Sequence, residues 1–459
     1  MDENKMNTHE SHSSEHHHHH HHSSHHRRSK KSSSKKGGKK IEITRKMLVI
    51  WISVLTVAVL LLTIWNIDMA HRLSIAMDYV DSLGDGVGLD TNENATSQVK
   101  SLPEYVKLES ERVAKQVKSL QSENTVSFLA ISDMHLDSAD KEFVNALSHA
   151  GGAMALIRED VPIDFAANLG DITTGASTTT VADGTKQLLM AQELTKDAFD
   201  GIPSFVLVGN HDPLIYSYKQ NKDYLNSKEL YEVLGKYSTD VIVEEGEQDR
   251  GYCYRDFEDS KLRVISLNTN DIKNVQDESL LEYEGNWCIM SLTQIRWLSQ
   301  TLKMSDKQDP SEWKILLLSH IPLYTGGYEY VADLLDGFVA GNAGSVSVKG
   351  ETVEYDFTGI SRAKVIANVH GHIHNYRTDV VGKSKIPALC IPNACYDRNN
   401  SKATSGSEEY RNRYGEKTTY NKTYGTKEDT SFCVVTIDFE YNRIYATCYG
   451  AGYDREISF

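Results

Sequence analysis

The chain has 459 residues, 39% apolar and 25% charged, with 30 Gly and 8 Pro; it can bury a large core, and collagenous or proline-rich architectures are excluded. A net charge of −15 argues against a general nucleic-acid binder, because phosphate backbones recruit basic surfaces. The charge is divided: residues 1–46 carry eleven Lys/Arg against five Asp/Glu, which leaves about −21 on the rest.

Residues 1–46 have the composition of a disordered cytoplasmic tail, with eleven of the nineteen histidines and Ser/Lys/Gly repeats that cannot bury a core. The run His16 to His22 reads either as an expression tag or as a segment for loose metal binding and contact with anionic headgroups. Met47 to Ile67 follows, twenty-one residues without a charge. As a helix at ~1.5 Å per residue it is roughly 31 Å long, enough for a bilayer core. Trp51 and Trp65 lie near its ends, where interface anchors belong. The run is too long for a signal-peptide core and lacks a small-x-small cleavage site. The basic tail before it predicts a cytoplasmic N-terminus, with residues 68–459 outside. The expectation is a single-pass type II protein of the cell membrane, in contact with lipid through a signal-anchor at 47–67. Residues 68–124 read as an extracytoplasmic stalk, with a linker at Gly84, Gly86 and Gly88. It ends in a charged helix, Glu104 to Ser122, whose Val106, Val113 and Val117 stripe is expected to pack on the body.

The body, 125–459, alternates short apolar strands with helical stretches. Strands are expected at Val126–Ile131, Ile163–Leu169, Phe205–Val208, Ile315–Leu318 and Lys364–Val369, and helices at Lys141–Arg158, Lys186–Phe199 and Leu292–Met304. This alternation predicts an α/β layered fold. Each of the five strands runs into a polar cluster: Asp133-Met134-His135, Gly170-Asp171, Gly209-Asn210-His211-Asp212, Ser319-His320 and His370-Gly371-His372-Ile373-His374. Carboxyl ends of such strands converge where α/β proteins place ligands. Asp133, His135, Asp171, Asn210, His320, His372 and His374 offer seven oxygen or imidazole donors, too many for one tetrahedral ion. They suit two cations sharing a carboxylate, an arrangement that stabilises attacking and leaving oxygens at phosphorus.

In this order the five clusters resemble the signature of the calcineurin-like metallophosphoesterase superfamily, over about residues 126–375. The resemblance implies an αββα sandwich, two packed mixed sheets flanked by helices. It implies one metal held by Asp133, His135, Asp171 and His374, and a second held by Asp171, Asn210, His320 and His372, with Asp171 bridging. It also implies that His211 is the catalytic histidine near the leaving group and that Asp212 orients it. The expected reaction is attack of a metal-bridging hydroxide on a phosphodiester or phosphomonoester outside the cell. Thr174 occupies the position where purple acid phosphatases carry a tyrosine, so a divalent pair of Mn, Fe or Zn is expected, and the pattern is similar to a bacterial-type phosphodiesterase branch.

Stretches 268–290, 323–362 and 396–430 lack strong strand signals and are long enough to shape a pocket. The last carries Tyr396, Arg398, Arg411 and Arg413, which read either as a polar surface loop or as contacts to a sugar- or nucleotide-phosphate. Residues 432–437 and 443–449 alternate like a hairpin. Six cysteines allow three disulfides in an oxidising space, yet Cys390, Cys433 and Cys448 sit in strand patterns and read equally as buried thiols. Two further readings stand beside the enzyme: an inactive phosphoester-binding module of the same fold, and a nuclease, which the acidic body disfavours.

Overall fold

A computed structural model describes residues 102–459 except Ser177, 216–223, 236–237, 272–289, Gly326, Lys349, 375–376 and 396–421, together with Ser53, Leu55 and Thr56. The run 47–67, apart from those three residues, lies outside this description, as do the tail and the expected linker. Among the described residues no helix is long and apolar enough to cross a membrane. The chain divides into two units, 1–66 and 67–459, and the architecture below belongs to the second.

Two six-stranded sheets form its centre. In the first, β1 (Thr125–Ile131) pairs in parallel with β2 (Phe165–Asn168), and β2 with β3 (Ser204–Val206). On the other side of β1, β12 (Ser431–Asp438), β13 (Arg443–Gly450) and β14 (Arg455–Ser458) add in antiparallel order. The second sheet runs in parallel from β5 (Leu262–Leu267) through β6 (Lys314–Ser319) and β9 (Lys364–His370) to β11 (Ile386–Cys390). Its edges are antiparallel, β4 (Cys253–Phe257) and β10 (Thr378–Val381).

Strand alternation sorts the core into layers. Phe128, Ala130, Phe165, Phe205, Val435 and Ile437 of the first sheet meet Leu316, Leu318, Ile366 and Val369 of the second in a continuous apolar cluster. The opposite face of the first sheet is covered by α1 (Glu104–Leu120), α2 (Lys141–Asp160), α3 (Val181–Phe199) and α4 (Ser227–Val233). That of the second is covered by α5 (Leu292–Lys303) and α6 (Glu329–Ala340). The result is the expected αββα sandwich. Local chemistry starts the helices: Asp140 caps α2 at the Glu142 amide, Thr180 caps α3, Asn226 and Glu229 form a capping box on α4, and Ser291 caps α5.

Two stretches outside the five strands gain detail in the structure. Residues 104–120, read as the last part of the stalk, form the expected helix, and its stripe packs on the body as expected: Val106, Val113 and Val117 are fully buried in the first-sheet cluster. The stretch 323–362 is a folded cap, with α6 followed by the hairpin β7 (Ala343–Val348) and β8 (Glu351–Asp356). Its strands carry Ser, Thr and Glu at alternate positions, so their apolar signal is thin. Of the other two stretches, 272–289 and 396–421 lie outside the described residues, and Tyr396, Arg398, Arg411 and Arg413 lie there too.

Candidate metal centre

The ladders bring the five clusters to one edge. Ile131 is level with Asn168, and Asn168 with Val206, so the loops bearing Asp133, Asp171 and Asn210 leave the first sheet side by side. In the second sheet Ser319 is level with His370, which places His320 beside the loop of His372 and His374. The loops turn sharply. Asp133, His135, Asp171, His372 and His374 all have positive φ, between 41° and 72°. Five non-glycine residues in the left-handed region are costly together and mark a site whose geometry is imposed by its surroundings. Glycines permit the close approach. A Cβ on Gly209 would lie 2.1 Å from the Asp171 amide nitrogen and from its Oδ1, and one on Gly371 would lie 1.8 Å from Ser132 Oγ.

Asp133, His135, Asp171 and His374 each place one donor atom within 4.8 Å of the others, and so do Asp171, His320 and His372. Asp171 is common to both groups. Its Oδ2 lies 3.6 Å from His135 Nε2 and 3.2 Å from His320 Nε2. His374 Nε2 stands 3.3 Å from Asp133 Oδ1 and 2.9 Å from His135 Nε2. Asn210 Oδ1 is 3.1 Å from His320 Nε2 and joins the second group. His320 Nδ1 bonds the Leu169 carbonyl at 2.7 Å, which presents Nε2 to the centre. Asp133 is held by Ser132 Oγ at 2.6 Å and by the His372 amide at 3.0 Å.

This donor set fits two divalent cations. Two fully buried carboxylates face four imidazoles and an amide, with no lysine or arginine in the set. His372 Nδ1 is buried without a hydrogen-bond partner among the described residues. Burial pushes the Asp133 and Asp171 carboxyls up, but the surrounding imidazoles, His374 first for Asp133 and His320 first for Asp171, hold both well below the usual range. Burial lowers His135 to about 3 and His372 to about 4. Both are therefore neutral, the form in which imidazole ligates metal. At His320 burial is outweighed by Asp171, and the ring is raised to about 9. A cation at Asp171 would replace that proton.

The sequence profile described as calcineurin-like phosphoesterase matches residues 126–376, more than half of the chain. The chain belongs to this family. The match spans all five polar clusters. Among solved structures, it is similar to the NAD nucleotidase NadN of Haemophilus influenzae at 12% identity and a TM-score of 0.32, over 72% of this chain and 49% of that one. It is also similar to the Thermus thermophilus sulfate thiohydrolase SoxB in complex with glycerol, at 12% identity and a TM-score of 0.29, over 58% of this chain and 51% of that one. The chain thus spans about half the length of each solved chain. No curated protein matches it in sequence.

Within the phosphoesterase, His211 and Asp212 part ways. The His211 ring stands perpendicular to that of His135, with centroids 4.6 Å apart, and its Nδ1 bonds the Thr174 carbonyl at 2.7 Å. Asp212 does not orient it. The Asp212 carboxylate is fully buried and accepts four backbone amides, from Gly209 and Asp171 on Oδ2 and from Ile172 and Thr173 on Oδ1, at 2.7–3.1 Å. Its direction is set by this ring of donors, so it clamps the Asp171 loop onto the Asn210 loop. The expected orienting role belongs instead to the Thr174 backbone, which carries no side-chain signal. The other histidines split as well: His149 bonds Asp429 at 2.7 Å, and His370 is buried at the end of β9.

Proposed function

We propose that this phosphoesterase is membrane-anchored and extracytoplasmic, and that it hydrolyses a phosphodiester or phosphomonoester at a dinuclear site of Mn, Fe or Zn. The observation that carries the dinuclear reading is the single oxygen, Asp171 Oδ2, shared between the His135 and His320 sides. Asp133, His135, Asp171 and His374 would hold one cation, and Asp171, Asn210, His320 and His372 the other. When bound, the pair supplies Lewis acidity toward phosphoryl oxygens and a water acidified toward neutrality. The chain's own residues do the rest. Asn210 contributes a ligand without adding negative charge against an anionic substrate. His211, with Nδ1 committed to Thr174, would pass the proton on Nε2 to the departing oxygen. Anchoring is supported by the uncharged run 47–67 and by the basic tail before it.

The test uses the full-length chain in detergent with Mn²⁺. Elemental analysis should give close to two metals per chain, with turnover of bis-nitrophenyl phosphate. Asp171→Asn should lose metal and nearly all turnover, because a neutral amide cannot balance two cations. One tightly held ion with full activity would overturn the dinuclear reading.

A further inference from the structure

Cys253, Cys390, Cys395, Cys433 and Cys448 are all thiols in this structure. Two of them share a rung of a ladder. Cys433 of β12 and Cys448 of β13 are register partners in the antiparallel pair. The kind of rung matters for crosslinking. The Ala451 amide donates to the Thr430 carbonyl at 3.1 Å, so the hydrogen-bonded rungs fall on Thr430, Phe432 and Val434, and Cys433 falls between them. Cys448 agrees: its amide turns away to Asp454 Oδ1 at 2.9 Å, and its carbonyl accepts from Arg112. Rungs without hydrogen bonds bring facing Cα atoms to about 4.5 Å, inside the ~4.4–6.8 Å range that a disulfide spans. Both side chains project into the core between the sheets, at 0% and 2% exposure. There the two thiols touch.

We propose that Cys433 and Cys448 form a cross-strand disulfide when the chain folds in the presence of a small disulfide of the glutathione class. One protein thiolate attacks the small disulfide and releases a thiolate; the second protein thiolate displaces the other half. One S–S bond breaks and one forms, and the protein dithiol loses the two electrons that the small disulfide gains. Contact with Cys433, then burial, pushes the folded Cys448 thiol well above its usual range. Exchange therefore belongs to folding, before the second sheet covers the pair. The bond would pin β12 close to where it supports the centre, since Thr430 Oγ1 donates to the Ala394 carbonyl and the Ala394 amide to that of Ser132. It also reports the compartment, because such a bond persists outside the cytoplasm and not within it.

The experiment makes the full-length chain in cell-free synthesis with detergent, in parallel with reduced glutathione and with a glutathione redox couple. Remaining thiols are alkylated after denaturation, and the chain is digested for mass spectrometry. Under the oxidising couple most molecules should yield the Cys433 and Cys448 peptides joined and two hydrogens lighter, with Cys253 and Cys390 alkylated. Their Tm should exceed that of the reduced chain by about 3–5 °C, and the double variant Cys433→Ala, Cys448→Ala should show no such difference. Alkylated Cys433 and Cys448 in the folded oxidised chain, or either one bridged to a different cysteine, would overturn the proposal.

Discussion

His211 and Asp212 are neighbours in sequence with separate tasks in space. A proton donor matters most when the leaving oxygen is poor. General-acid help is typically ~10²–10⁴-fold and should be largest for an alkyl ester. His211→Ala should therefore keep both metals, slow an alkyl phosphoester severely, and slow a nitrophenyl ester far less. Equal losses on both substrates would show that the ring only positions phosphate. Asp212→Asn should behave differently, because its four amide donors would face an amide in place of a carboxylate. Its effect should be a loss of about 2–4 kcal/mol in stability and a lower metal content, with both substrates affected alike. Urea unfolding and elemental analysis read this directly; an unchanged midpoint with full metal would refute the clamp.

The loops that follow the strands hold the centre by backbone shape as much as by ligand chemistry. Gly209 is the clearest case, since its Cα faces the bridging loop with no room for a methyl. Gly209→Ala should displace Asp171 and cut turnover by about 10²-fold, visible as weakened Mn²⁺ binding in calorimetry; wild-type affinity would contradict the packing. The helix α1 makes a second test. Val113 is fully buried against the outer face of the first sheet, so Val113→Ala should lower stability by about 1–3 kcal/mol while leaving nitrophenyl ester turnover intact. A folding boundary after α1 would predict no change in the urea midpoint. The five apolar strands were legible because each is a short apolar run with a polar end. The α6 cap and the β7–β8 hairpin were not, because alternation diluted by Ser, Thr and Glu is indistinguishable from a polar loop.

Across the chain the charge pattern makes a claim about sides. Protease added to intact cells, with any wall removed, should digest 68–459 and spare the 1–46 tail. Protection of the body would refute the orientation. What the chain alone determined was the layered α/β class, the seven candidate ligand residues and the expectation of a membrane run, since each rests on residue type, order and period, which need no coordinates. The tertiary structure decided which groups act on which. It gave the α1 stripe its partner, the outer face of the first sheet, because burial of a stripe depends on the sheet face it meets. It turned Asp212 from His211 to four amides and gave His211 to the Thr174 carbonyl, because backbone donors and acceptors are the same at every position and become specific only when the chain brings them within reach.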